Sequence, residues 1–178
     1  MKKKVLVAAL CVGTLSYGAS VLANDDHKAI KGPFENPMAV TNKCLECHEN
    51  ASHDIMQTSH WTWDLKQEIS GQDNVFRGKK NAINNFCISI NGNWSRCTSC
   101  HIGYGWKDGS FDFTDVSRVD CLVCHDTTGT YKKPGAAAGM PAGYTGNAKF
   151  DKKPVDLIRV AQNVGAPGRS NCITCHGY

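Results

Sequence analysis

The sequence predicts a mainly α fold with extensive irregular loops, whose interior is filled by something other than apolar side chains. Three observations lead there. Ten of the 178 residues are cysteine, fewer than a small disulfide scaffold carries and more than an ordinary core uses. Only 41% of residues are hydrophobic, with 17 glycines and a mean hydropathy of −0.36, which is little apolar material for a chain of this length. Helical signals are confined to short segments, separated by stretches rich in Gly, Asn, Asp and Lys.

Taken in order, the chain opens on a basic run, Met1–Lys4, followed by apolar Val5–Leu15 and the small-residue site Val21-Leu22-Ala23. This reads as a secretory signal peptide over residues 1–23, cleaved after Ala23, which predicts export to the periplasm. Cys11 leaves with it. The segment takes three lysines and no acid, so the formal charge of +4 falls to +1 and a nucleic-acid partner loses its main support. No run of 18 apolar residues remains, so no membrane span is expected after cleavage.

The next element repeats four times. Cys44-Leu45-Glu46-Cys47-His48, Cys97-Thr98-Ser99-Cys100-His101, Cys121-Leu122-Val123-Cys124-His125 and Cys172-Ile173-Thr174-Cys175-His176 all read C-x-x-C-H. Two thiols one helical turn apart suit thioether bonds to the two vinyl groups of one porphyrin, and the following His is placed to ligate its iron. Zinc sites and disulfides also use Cys-x-x-Cys pairs, but neither explains a His after the second Cys in all four copies. The expected cofactor is therefore haem c, four copies, covalently attached. With 155 residues left after cleavage, about 39 per haem, the haems must pack closely on one another, and residues 24–178 are expected to form one tetrahaem cytochrome c domain. The second and third motifs are separated by 19 residues, against 48 and 46 for the other gaps, which makes their haems expected neighbours.

Four irons need four further axial ligands, and the mature chain has three spare histidines: His27, His53 and His60. Ala51–Ile69 reads as an amphipathic helix in which His53, Met56, His60 and Trp63 share one face. His27 lies in a polar N-terminal arm. Lys107, just past the second motif, is a further candidate, since burial and a metal's charge can hold an amine deprotonated. Met140 is a weaker one. Cys87, the odd cysteine, reads as a buried free thiol, with a reactive group beside a haem as the alternative. Regions 70–95 and 102–150 read as loops wrapping cofactors, with Trp61, Trp63, Trp94 and Trp106 packing on them. Pro154–Val164 reads as a helix stopped by Gly165 and Pro167.

Several runs carry a more specific signal. Gly78-Lys79-Lys80 to Phe86-Cys87, Arg96 to His101, Gly103-Tyr104-Gly105-Trp106-Lys107-Asp108, Phe111-Asp112-Phe113-Thr114, Val119 to Tyr131 and Ser59-His60-Trp61 together resemble the octahaem tetrathionate reductase family. The resemblance implies a periplasmic multihaem reductase of tetrathionate, nitrite and hydroxylamine. It implies one active-site haem with a Lys axial ligand and an open face for a small oxyanion. It also implies an electron donor, either a partner cytochrome or a quinol-linked protein. Lys107 beside the second motif is the position matched to that ligand, with Lys132 and Lys133 also close to a motif. The sequence departs from the family in having four motifs rather than eight and in stopping at Gly177-Tyr178. The reading that follows is an N-terminal half whose missing ligands come from a C-terminal half or from an oligomeric partner. The alternative is a stand-alone tetrahaem electron-transfer cytochrome without substrate chemistry.

Overall fold

The computed structural model describes residues 25–83 and 88–177. The expected signal peptide and Cys87 lie outside the described residues. Within them are eight short α-helices: α1 Asp25–Lys28, α2 Pro37–Leu45, α3 Ala51–Met56, α4 Ser59–Thr62, α5 Trp94–Cys97, α6 Cys121–His125, α7 Leu157–Ala161 and α8 Arg169–His176. One antiparallel hairpin, β1 Leu65–Ile69 with β2 Gln72–Arg77, joins them, and the rest is 3-10 turns and irregular chain. None of the helices is long and apolar enough to cross a membrane.

Caps set where the best helices begin. In α2 the Asn36 side chain accepts from the Ala39 amide at 3.0 Å and Pro37 occupies the first helical position, where its missing N–H is harmless. Asp156 caps α7 by accepting from the Arg159 amide at 2.9 Å. The expected helix Pro154–Val164 is therefore shorter than its sequence pattern: Val155 is still extended, donating to the Ala142 carbonyl, and Val164 pairs with Asp126 in a β-bridge.

The expected helix Ala51–Ile69 does not form as one element. It stops after Met56, where the Thr58 hydroxyl donates to the Ile55 carbonyl at 2.7 Å, and restarts for one turn in α4. Trp63 then turns left-handed (φ 54°), and Leu65–Ile69 pairs with Gln72–Arg77 around Gly71 (φ 75°). Strand pairing with a segment read as loop overrides helical periodicity here, as tertiary context commonly does. Region 70–95 is correspondingly not all loop: it holds β2, a 3-10 turn at Ile90–Gly92 and the start of α5.

The core gathers Val40 of α2, Trp61 of α4, Leu122 of α6, Val160 of α7, Val119 and Tyr131. It packs α2 and α6, which carry the first motif's Cys44 and the third motif, against α7, with Ile102 just past the second motif.

Candidate cofactor-binding site

Motifs three and four are wholly helical. In α6 the Asp120 carboxylate caps the helix by accepting from the Val123 amide at 3.0 Å, and Cys121, Cys124 and His125 fall on one face. In α8 the Asn171 side chain accepts from the Gly168 amide and donates to the Asp126 carbonyl, tying the fourth motif to the third. Motif one straddles the end of α2, with the His48 amide still bonded to the Cys44 carbonyl at 2.9 Å. Motif two differs. It runs through a 3-10 turn, Thr98–Cys100, and His101 is extended (φ −67°, ψ 141°) with its ring turned inward.

The motifs converge. Asp120 N–H donates to the Ile102 carbonyl at 2.7 Å, and Gly103 bridges Val119, so motifs two and three adjoin. Cysteines meet across motifs too: the Cys175 thiol donates to the Cys100 carbonyl at 3.7 Å, and the Cys121 thiol, which donates to the Val119 carbonyl at 3.9 Å, lies beside Cys44; the neighbouring Cys175 draws the Cys100 thiol down to about 6. All eight motif cysteines are free thiols. Among the described residues no three His, Cys, Asp or Glu side chains gather as a zinc site requires.

The histidines carry the sharpest geometry. The rings of His27 and His48 lie 6.1 Å apart, centre to centre, with planes at 20°. Those of His60 and His176 lie 6.2 Å apart with planes at 85°. Two imidazoles that held one metal ion between them, through bonds of about 2 Å, would have ring centres roughly 6 Å apart. Both pairs join a motif His to a spare His, and both match that span. His125 donates from Nδ1 to the Gly165 carbonyl at 2.8 Å, which leaves the lone pair on Nε2, the tautomer a metal-ligating His uses. These residues fit haem c.

His101 fits less readily. It is fully buried; Nε2 donates to the Trp61 carbonyl at 2.7 Å and Nδ1 accepts from the Gly103 amide at 3.0 Å. Burial depresses its pKa to about 4, so it is a neutral ring. Trp61, Trp63, Trp106, Phe111 and Phe113 surround it, with centroids 4.7 to 6.1 Å away. For His101 to ligate iron, Nε2 must leave the Trp61 carbonyl. Trp94 completes the aromatic group through Trp106 at 5.8 Å.

The remaining candidates are spread out. His53 stands on α3 and His60 on the separate helix α4, both exposed, because the helix expected to align them breaks at Gln57. Lys107 is exposed beside Asp108.

A second buried group was not legible in the sequence. Lys133, its side chain 2% exposed, pairs with fully buried Asp120 at 3.0 Å and donates to the His101 carbonyl at 2.7 Å. The Tyr104 and Tyr131 hydroxyls also donate to Asp120, each at 3.0 Å. Burial and then the Asp120 charge push both phenols well above their usual pKa. The only sequence signal was Asp120 standing at the N-cap of a motif; nothing marked Lys133 over Lys132 as its partner.

The fold recurs in a solved protein. The crystal structure of an octaheme cytochrome c from Shewanella oneidensis superposes with a TM-score of 0.75, at 55% identity over 87% of this chain. The chain has a multihaem cytochrome c fold. It spans 33% of the length of that relative. An uncharacterized protein of Archaeoglobus fulgidus is 23% identical over 175 residues, covering 76% of this chain and 58% of that protein. No family model matches. The multihaem cytochrome c fold accounts for the sparse apolar core and for helices barely longer than the motifs they carry.

Proposed function

We propose that residues 24–178 form an exported, periplasmic electron-transfer unit carrying four covalently attached haems c. The observation that carries this reading is the pair of His–His separations, 6.1 and 6.2 Å, each joining a motif His to a spare one. When bound, haem c supplies a one-electron iron couple whose potential follows axial ligation, burial and hydrogen bonding. The chain's part is to attach and orient. Cys44/Cys47, Cys97/Cys100, Cys121/Cys124 and Cys172/Cys175 supply the thioether sulfurs. His27 and His48 would hold the first iron, and His60 and His176 the fourth. His125, oriented by the Gly165 carbonyl, serves the third, and His101 the second.

The finer reading is a reductase of the tetrathionate, nitrite and hydroxylamine type, of which this chain is the four-haem portion. A partner cytochrome or quinol-linked protein would be its electron donor. Motif two is the place for substrate chemistry. Among the described residues, the rings around His101 are indoles and phenyls, and none is a second imidazole. Cations rim that aromatic group: Lys79 over Trp63 at 4.3 Å, Lys80 over Phe113 at 4.4 Å and Arg118 over Phe111 at 5.4 Å. Lys80 is partly offset by Asp64 at 3.8 Å and Arg118 by Asp115 at 3.1 Å, and the positive charge that remains favours a small oxyanion. Lys107 is the candidate sixth ligand there, since Lys133 is committed to Asp120 and the His101 carbonyl.

Expression in a host able to attach haem tests both levels. The intact mass should equal the chain after cleavage behind Ala23 plus four haems; a colourless product, or one with fewer haems, contradicts the electron-transfer reading. Added nitrite should change the spectrum of one iron. Four low-spin irons indifferent to nitrite would leave an electron carrier and remove the reductase.

A further inference from the structure

Motif one and its spare ligand are held by a segment from the far end of the chain. The arm carrying His27 runs from α1 through Ile30 and Gly32 to Asn36, where α2 begins and leads back to Cys44 and His48. Along it, the Gln162 side-chain amide donates to the Ile30 carbonyl at 2.8 Å, across 132 residues of sequence. Ile30 and Phe34 pack against the core cluster that contains Leu157, Val160 and Ala161 of α7. Gly32 is so close to α7 that a Cβ there would meet Ile158 Cδ1 at 2.4 Å.

The same segment then serves another motif. Immediately after Gln162, the Asn163 carbonyl accepts from both the amide and the hydroxyl of Thr127. The Gly165 amide donates to the His125 carbonyl, and the Gly165 carbonyl accepts His125 Nδ1. Residues 158–165 therefore hold the backbone that delivers His27 and orient the ring of His125, which belong to different motifs.

We infer that this segment is a ligand bracket, with Gln162 the positioning residue that keeps His27 on the first iron. The inference rests on the axial roles proposed above and adds the element that enforces one of them. A four-residue helix near the start of the chain has little intrinsic stability, and a His on it would spend much of its time off the metal without an anchor. The Gln162 bond is that anchor, and it is specific: it reaches the main chain three residues from the ligand.

The test uses the haem-loaded, oxidised protein and reads iron spin state. Gln162→Leu keeps the bulk and removes the donor. Loss of one hydrogen bond of ordinary strength should raise the five-coordinate fraction at the first iron about three- to tenfold, and added free imidazole should reverse the change. The signal of the His60/His176 iron should not move, which separates loss of positioning from general loosening. Gly32→Val, which pushes the arm off Ile158, should give the same selective effect and stands in if the first variant folds poorly. His27→Ala sets the full-loss reference. If Gln162→Leu and Gly32→Val match the parent while His27→Ala shows the loss, the bracket is overturned and the axial role stands. If His27→Ala also matches the parent, the axial role fails and the bracket with it.

Discussion

On the ligation proposed above, replacing His60 by alanine is expected to convert the fourth iron from six- to five-coordinate, removing the low-spin signature of that haem and opening its iron to carbon monoxide and cyanide. The expectation follows from placement. His60 sits on α4, a single turn that owes its position to its neighbour Trp61, which is 2% exposed and donates from Nε1 to the Phe113 carbonyl at 3.1 Å. The His60 ring thus stays opposite His176, on a helix 109 residues later that carries the last motif. His53, exposed on the separate helix α3, does not occupy that position and should not substitute. Free imidazole should restore the low-spin spectrum of His60→Ala, whereas His53→Ala should leave the fourth iron as it is.

The second large effect is on stability. Asp120→Ala should remove about 3–5 kcal/mol, because it strands the buried Lys133 ammonium and breaks a group whose members cannot reach water. Asp120 accepts from Tyr104, from Tyr131, from the Val123 amide at the start of α6 and from Lys133. A urea midpoint measured on the haem-loaded protein reads the change. The double variant Asp120→Leu with Lys133→Met should recover part of the loss, since apolar replacement of both partners avoids the unpaired charge. If Asp120→Ala costs no more than an exposed substitution, the cluster is not a structural tie between motifs two and three.

How much of this was legible in the sequence follows physical lines. The motifs were fully legible, because covalent attachment demands fixed spacing. His27, His53 and His60 stood out as the spare imidazoles of the mature sequence. Which motif each approaches did not, because His60 beside His176 depends on α4 and α8 meeting from opposite ends of the chain. The break in Ala51–Ile69 was hidden because the pattern of apolar residues there suits a helix, while the hairpin is decided by pairing with Gln72–Arg77. The four tryptophans were expected on haem edges; in the structure they gather around His101, directly or through Trp106. Lys133 was invisible beside Lys132, since only burial distinguishes them.

The central claim is that two spare histidines complete two particular irons, with imidazole planes at 20° for His27/His48 and 85° for His60/His176. Low-temperature electron paramagnetic resonance of the oxidised, haem-loaded protein tests it directly. Near-parallel imidazoles give an ordinary rhombic low-spin spectrum, and near-perpendicular ones a single strongly anisotropic feature. Both signals should be present, with His27→Ala removing the first alone and His60→Ala the second alone. If the two variants leave both signals in place, or each removes the other's, the ligand assignment is wrong.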